Sequence, residues 1–326
     1  MAWIWWSLGA AAAGLGGACL AERWLEARDR RRFPAPGRMV DVGGGRRLHL
    51  YCKGAVSGPS VVIEQGAGSP SILWWPIQDR IAAVARACTY DRAGYQWSDN
   101  ARRTRSLAAR VDDLHAVLMR GAVPGPYVLV GHSYGGPVIR CFARRYPELV
   151  AGMVLVDTPE EGVIFRASYK RYAAQLRAFA WVLEAAARLG LVRLALRWMT
   201  DLPDGLGKQA FAALKANLAR ADFFRAMADD PVSLGNADGF GGAGEWPLVV
   251  ITHGVAFPGP AAVLEDGWAE GQARLAQLSP QGRLTVARES NHMVHADQPA
   301  VVIDAILSVI AAVKGEANLV VPVDAG

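Results

Sequence analysis

The sequence is poor in cysteine and in charge, and both shortages limit what the protein can be. Its four cysteines, Cys19, Cys52, Cys88 and Cys141, form no C-x-x-C pair and no cysteine–histidine cluster with zinc spacing. A disulfide-stapled scaffold is therefore excluded, and we expect buried free thiols, with a single disulfide left open. Charged residues make up 20% of the chain against 52% hydrophobic residues, which excludes wholesale disorder.

A strong excess of one charge is also absent from most of the chain. The net charge is +5, and the first 38 residues hold six arginines but only three acidic residues. The remainder carries 29 basic and 27 acidic side chains. Because a nucleic-acid-binding surface needs a basic excess, we expect no nucleic-acid partner for the body of the protein.

The first 21 residues contain no charged side chain and predict a membrane anchor. At about 1.5 Å per residue, a helix over 1–21 is about 31 Å long, enough to span a bilayer core. Trp3, Trp5 and Trp6 lie at one end and arginines follow the other, so the positive-inside rule predicts membrane association with a cytoplasmic body. Export is the alternative, although the segment lacks the positive start of a signal peptide. Residues 22–37 then form a basic, proline-containing linker.

From residue 38 onward, short apolar segments alternate with amphipathic ones. This alternation is typical of an α/β fold, with a mostly parallel sheet and helices on both faces. The predicted strands are 39–42, 46–51, 61–63, 87–90, 127–130, 153–156, 248–252 and 284–287. Three glycines at 43–45 join the first two strands as a hairpin, which makes the leading edge of the sheet antiparallel.

One long segment interrupts the alternation. Residues 159–243 are rich in Ala, Arg and Leu at helical spacing, contain no clear strand, and are too long for one crossover. We interpret them as a helical cap inserted between two late strands. The core then comprises 38–158 and 244–314, and 315–326 form a flexible tail.

A candidate nucleophile follows the predicted strand over 127–130. Residues 131–135 read Gly-His-Ser-Tyr-Gly, a G-x-S-x-G motif between an apolar strand and an amphipathic helix. A sharp strand–turn–helix forces the serine into a strained conformation that only small neighbours tolerate, and its hydroxyl stands exposed at the helix N-terminus. The motif therefore singles out Ser133.

Four stretches carry a family resemblance: 38–44 (RMVDVGG), 89–99 (TYDRAGYQWSD), 125–136 (GPYVLVGHSYGG) and 290–299 (SNHMVHADQP). Together they resemble the α/β-hydrolase superfamily, in particular a bacterial serine-hydrolase, esterase-like branch with a helical cap. The resemblance extends from about residue 38 to residue 314. It implies the α/β-hydrolase fold and a serine hydrolase that cleaves a carboxylic ester, thioester, lactone or amide through an acyl-enzyme on Ser133.

The resemblance also implies a base and an acid for the serine. His292 occupies the family's histidine position after the last strand. The acid usually follows the strand predicted here at 248–252, but that loop has no carboxylate at the expected place. We therefore choose Asp157, at the end of the preceding strand, with Glu265 second and Asp266 third, to orient the imidazole.

Two backbone amides are implied as the oxyanion hole: that of Tyr134, directly after the nucleophile, and that of Ala67, in the loop after the strand over 61–63. Neither a metal nor an organic cofactor is indicated. The expected partner is a small ester-like substrate, and the Ala-, Leu- and Trp-rich cap favours an apolar one. The alternative is a catalytically silent protein of this fold that binds a ligand or acts as a membrane-associated interaction protein. The oligomeric state is left open.

Overall fold

The computed structural model describes residues 2–101, 106–235, 240, 241 and 244–319, and eight strands of this part form one sheet. The strands are β1 Arg38–Gly43, β2 Arg46–Lys53, β3 Ser60–Glu64, β4 Ala87–Tyr90, β5 Tyr127–His132, β6 Val150–Val156, β7 Leu248–His253 and β8 Gly282–Ala287. Their order in the sheet is β1-β2-β4-β3-β5-β6-β7-β8. The β1–β2 and β2–β4 pairs are antiparallel and all other neighbours are parallel, so the predicted mostly parallel sheet with an antiparallel leading edge is confirmed.

Helices cover both faces of the sheet because the side chains of its central strands are apolar on both faces. The helices are α1 Ala2–Arg32, α2 Trp75–Ile81, α3 Leu107–Arg120, α4 Gly135–Arg145, α5 Glu161–Ile164, α6 Ala167–Arg188, α7 Leu191–Ala195, α8 Lys208–Leu218, α9 Ala221–Leu234, α10 Trp268–Ala276, α11 Val294–Asp297 and α12 Pro299–Lys314. On β5, Leu129 belongs to the core with α3, α4 and α10, whereas Val128 and Val130 belong to the core with α2 and α12. The two-sided packing explains why β5 is entirely buried.

The N-terminal segment differs from its prediction in two ways. The single helix α1 continues through the predicted boundary at residue 21 to Arg32, so most of the predicted linker 22–37 is helical. Its charged second half contacts α7, where Arg193 pairs with Glu22 at 2.6 Å and with Asp29 at 2.5 Å. Among the described residues no helix is long and apolar enough to cross a membrane, so the predicted membrane-spanning helix over 1–21 is not supported.

The segment predicted as a cap contains α5 to α9, and it lies between β6 and β7 in the chain. Helices α6 and α9 pack closely on one another. Asp230 on α9 reaches into the core, where its carboxylate contacts Arg92 at 3.0 Å and Arg110 at 2.5 Å. Of the predicted tail 315–326, residues 320–326 lie outside the described part of the chain.

Two of the four cysteines are joined rather than free, which corrects our preference for buried free thiols. Cys52 on β2 and Cys88 on β4 are direct partners in the antiparallel register, and they form a disulfide. The pairing depends on residues 36 positions apart, which sequence spacing alone does not bring together. Cys19 and Cys141 are not part of this disulfide.

Thiol titration checks this pairing. We expect two reactive thiols per chain when the full-length protein is unfolded without reductant, and four after reduction, because the disulfide withholds two. Intact mass after alkylation measures both states. Cys141→Ser is the matched control, since it lowers each count by one. Four thiols without reductant would contradict the pairing.

Candidate active site

The candidate nucleophile lies on the sharp turn between β5 and α4. Ser133 has φ +50°, a left-handed conformation that costs about 1 kcal/mol or more in a non-glycine residue. The turn holds because the Ser133 amide donates to the Val156 carbonyl at 3.0 Å, and the Gly136 amide donates to the Ser133 carbonyl at 3.0 Å. A Cβ atom at Gly135 would lie 2.2 Å from the carbonyl oxygen of Glu64. This oxygen belongs to the backbone and cannot rotate away as a side chain could. The small neighbours expected in the motif are therefore required by this packing.

Three predicted site residues from distant parts of the chain lie in hydrogen-bond contact. His292, in the loop between β8 and α11, places its Nε2 2.8 Å from the Ser133 Oγ. Its Nδ1 lies 2.6 Å from the Oδ2 of Asp157, the residue that follows β6. An imidazole that donates Nδ1–H to a carboxylate presents a lone pair at Nε2, which can accept the serine proton.

The Asp157 carboxylate is fully buried and richly hydrogen-bonded. The backbone amide of His253 donates to its Oδ1 at 3.1 Å, the His253 Nδ1 lies 2.8 Å from both oxygens, and the Trp268 indole donates to Oδ1 at 2.9 Å. Burial alone would raise the pKa of this carboxyl, but the bonds from His253 and His292 outweigh it and hold the pKa well below its ordinary value of 3.8. Asp157 is therefore ionised at neutral pH.

The two alternative acids lie elsewhere. Glu265 contacts the far side of the His253 ring, 3.2 Å from Nε2, and accepts the Phe257 amide at 2.5 Å. Asp266 pairs with Arg166 at 2.6 Å on the surface. The partners His253 and Trp268 are absent from our sequence-based site. The available signal was that His253 ends the strand next to β6, because the carboxyl ends of parallel neighbours meet at one edge.

Two further histidines pack behind His292 as neutral rings. His132 donates from Nε2 to the His292 carbonyl at 2.9 Å, which anchors the histidine loop to β5. Burial, and then the neighbouring His292, lower the pKa of His132 to about 3. His295 stacks on Trp74 with ring centroids 4.4 Å apart, and burial lowers the pKa of its ring well below the ordinary value. Among the described residues, neither ring nitrogen of His295 has a hydrogen-bond partner.

The two predicted oxyanion amides lie beside Ser133. Ala67 and Tyr134 both line the cavity that contains the Ser133 and His292 side chains. Within the described residues, no hydrogen bond from either backbone N–H to a protein acceptor is seen, and their role as an oxyanion hole stays a prediction. Arg92 fixes the loop that precedes Ala67, because it donates to the carbonyls of Gln65 and Gly66 at 2.6 Å each.

The cavity has a volume of about 270 Å³ and a largely apolar wall. Helix α6 contributes two tyrosines and a leucine, and the segment after β7 contributes aromatic, proline and aliphatic side chains: Tyr169, Tyr172, Leu176, Phe257, Pro258, Leu264 and Trp268. Trp74 and Trp75 stack on other rings, Trp74 on His295 and Trp75 on Trp97. In the part of the chain that the structure describes, no group of three or more His, Cys, Asp or Glu side chains is arranged to hold a metal ion.

Among curated proteins, this chain is similar to an uncharacterized protein, YqjL, of Bacillus subtilis. The two are 27% identical over 268 residues, which is 81% of this chain and 88% of the relative.

Two solved structures share the fold over most of their length. A thermophilic esterase from Thermogutta terrifontis has a TM-score of 0.62 at 18% identity, covering 86% of this chain and 99% of that one. A putative lipase from Acinetobacter baumannii has a TM-score of 0.66 at 15% identity, covering 91% of this chain and 97% of that one. At these identities the likeness concerns the fold alone. The model of the alpha/beta hydrolase fold family matches residues 59–222, half of the sequence. With its sheet order, its elbow and this match, the chain belongs to the alpha/beta hydrolase fold family.

Proposed function

We propose that the protein is a serine hydrolase that cleaves a carboxylic ester, or a related thioester, lactone or amide, through an acyl-enzyme on Ser133. The observation that carries the proposal is the chain of contacts from the Ser133 Oγ through His292 to Asp157, at 2.8 and 2.6 Å, beside an apolar cavity. A free hydroxyl is a poor nucleophile at neutral pH, and an adjacent neutral imidazole oriented by a carboxylate overcomes this.

In acylation, the His292 Nε2 takes the Ser133 proton while the Oγ attacks the substrate carbonyl carbon. The carbonyl oxygen becomes an anion, and the amides of Ala67 and Tyr134 donate to it. Asp157 stabilises the imidazolium that forms and keeps its own proton count unchanged. The intermediate collapses, the bond to the leaving group breaks, and His292 returns its proton to the departing alcohol, thiol or amine.

In deacylation, water takes the place of the leaving group. His292 accepts a proton from that water, the hydroxide oxygen attacks the acyl carbon, and the same two amides bind the oxyanion. Collapse releases the carboxylic acid and returns the proton to Ser133. The cavity of about 270 Å³ and its aromatic and aliphatic lining support a short apolar acyl group. A hydrolysis screen that returned only polar substrates would contradict that preference.

Covalent labelling tests the proposed function. We expect a fluorophosphonate probe to add one adduct per chain to the full-length protein and none to Ser133→Ala, measured by intact mass. His292→Ala should label more slowly by roughly 10³-fold or more, because the base is gone. Ser308→Ala, a serine on α12 outside the site, is the matched control and should label like the parent.

Two outcomes would contradict the proposal. One is a folded parent that forms no adduct and hydrolyses none of a panel of p-nitrophenyl esters. The other is an adduct that survives in Ser133→Ala. A p-nitrophenyl acetate to octanoate series on the unlabelled parent then ranks acyl lengths against the size of the cavity.

We also propose that the hydrolase works in an oxidising compartment, which is the exported alternative rather than the cytoplasmic one. The support is the Cys52–Cys88 disulfide, since such bonds persist outside the reducing cytosol. The thiol count described above, repeated on protein isolated from its native cells under alkylating conditions, distinguishes the two locations.

A further inference from the structure

The Asp157 carboxylate is contacted by a second imidazole besides that of His292. His253 ends β7 and places its Nδ1 2.8 Å from each Asp157 oxygen, with its own backbone amide 3.1 Å from Oδ1. The His292 Nδ1 approaches the other side of the same carboxylate, 2.6 Å from Oδ2. One buried carboxylate therefore serves two rings, and only one of them can reach Ser133.

The far side of the His253 ring faces a second carboxylate. Its Nε2 lies 3.2 Å and 3.5 Å from the two oxygens of Glu265. A neutral imidazole carries one N–H, so it would turn a lone pair towards one of the two carboxylates. An imidazolium donates at both nitrogens, and this is the form that the arrangement accommodates.

The surroundings of the ring agree with a positive charge. Its charged and titratable neighbours are Asp157 beyond β6, Glu265 before α10, and His292 across the shared carboxylate. The Phe257 and Trp268 rings also lie beside it, at 4.7 and 5.9 Å between centroids. Burial lowers the pKa of His253, but the bond and charge of Asp157 and then the charge of Glu265 outweigh it, so the pKa is raised above 6.5.

We infer that His253 is a positioning residue of the proposed hydrolase: held as an imidazolium between Asp157 and Glu265, it aims Asp157 at His292 and shares its negative charge. The inference rests on the proposed function for its catalytic consequence. Because the His253 imidazolium partly neutralises the Asp157 carboxylate, Asp157 stabilises a protonated His292 less. The base is then free to accept a proton from Ser133 at lower pH than it would be with Asp157 to itself.

The pH dependence has a definite sign. A group whose pKa is raised by folding keeps its contribution below its ordinary pKa, here 6.5, and loses it as the pH rises through the folded value. The His253 clamp is therefore complete below pH 6.5 and is released as the pH rises through the raised pKa. Release leaves Asp157 with one fewer cationic partner.

The test compares pH profiles of kcat/KM for p-nitrophenyl butyrate in the full-length parent, His253→Asn and Glu265→Gln. Asn keeps an N–H donor near the Nδ1 position and removes the charge. We expect the acidic limb of His253→Asn to move about one unit to higher pH, with kcat about 10-fold lower at pH 6 and KM within twofold. Glu265→Gln weakens the charge on His253 without removing the Asp157 contact, so its acidic limb should move in the same direction by a smaller amount.

His115→Asn is the matched control, because His115 stacks on Tyr146 at the C-terminal end of α4, away from Ser133, and should leave the profile unchanged. A folded His253→Asn whose acidic limb does not move, or moves to lower pH, would overturn the inference. A uniform loss of activity at every pH would also overturn it. That loss, with a lower Tm and no shifted acidic limb, is what a merely structural role of His253 predicts.

A readout independent of activity separates this inference from the proposed function. In ¹H–¹³C NMR of histidine-labelled protein, the signal lost in His253→Asn should stay protonated above pH 6.5, and Glu265→Gln should lower its titration point. A signal that titrates below 6.5 in the parent overturns the clamp even where esters are hydrolysed. A parent that neither labels nor hydrolyses esters overturns the proposed function, whatever that signal does.

Discussion

Asp157→Asn is expected to lower kcat for ester hydrolysis by roughly 10⁴-fold while the chain stays folded. The asparagine amide has nearly the same shape, but its NH₂ group turns a donor towards a ring nitrogen that needs an acceptor. His292 then takes the tautomer with Nε2–H, which points a proton at the Ser133 hydroxyl instead of a lone pair. Steady-state kinetics with p-nitrophenyl butyrate at pH 8 measure the loss.

The carboxylates that sequence reasoning ranked second and third supply the comparison. Asp266→Asn changes a surface ion pair with Arg166 and should keep kcat within about twofold. Glu265→Gln removes the outer contact of His253 and should stay within about 10-fold of the parent at pH 8, as that contact is one ring away from His292. A large loss in either of these variants, with Asp157→Asn unaffected, would show that another carboxylate is the acid.

The same residue links activity to acid stability. A carboxyl whose pKa is lowered by folding contributes stability above its ordinary value of 3.8, and that contribution is lost as the pH falls further. Asp157→Asn has no such group to protonate. Its free energy of unfolding should therefore fall less steeply than that of the parent as the pH drops from 5 to 3, although it starts lower.

Most of the sheet was predictable because its signals are local. Runs such as 127–130 are apolar on both faces, which a parallel strand covered by two helical layers requires. The hairpin depends only on adjacent glycines and the elbow only on a five-residue motif, so both are encoded within a few positions. All eight predicted strands occur in the structure within a few residues of their expected bounds.

The site was predictable where it depends on the motif and harder where it depends on three-dimensional contacts. Ser133 and His292 stand out by sequence position, and they lie 2.8 Å apart. Asp157 had two competitors because a carboxylate after either of two neighbouring strands reaches the same edge of the sheet. The contacts of Asp157 with His253 and Trp268 join residues 96 and 111 positions apart, and no local sequence pattern indicates them.

In the N-terminal segment, a local sequence pattern predicted a boundary that the structure does not have. The first 21 residues lack charge, and that pattern alone suggested a boundary at residue 22. The helix runs on because nothing at that boundary breaks it, and its charged half finds Arg193, more than 160 positions away. Hydropathy could not indicate that contact, because ion pairs between distant segments leave no periodic signature.

A buried charge network links α9 to the loop that precedes Ala67. The Asp230 carboxylate is fully buried and contacts Arg92 at 3.0 Å, Arg110 at 2.5 Å and the Tyr95 hydroxyl at 2.6 Å. Arg92 in turn pairs with Glu64 at 2.6 Å and holds the loop that precedes Ala67. The helical segment between β6 and β7 and the loop with one proposed oxyanion amide therefore share one set of charges.

Asp230→Ala is expected to lower the free energy of unfolding by about 3–5 kcal/mol, measured by urea denaturation at pH 7. The cause is the buried positive charge that remains, since Arg110 loses the carboxylate that raises its pKa and Arg92 loses one of its two carboxylate partners, Asp230 and Glu64. Asp204→Ala, an exposed aspartate before α8, should change the value by less than about 0.5 kcal/mol.

A double variant separates the stranded charge from lost packing. In Asp230→Leu with Arg110→Met, apolar side chains replace the ion pair, so the free energy of unfolding should recover most of what Asp230→Ala loses. The rate of fluorophosphonate labelling should recover less than the free energy of unfolding does, because Arg92 has lost the carboxylate that helps to fix its guanidinium beside Gly66. An equal loss in the single and double variants would assign the effect to packing at α9 and not to charge. Recovered stability with slow labelling would tie the helical segment to the oxyanion loop through Arg92.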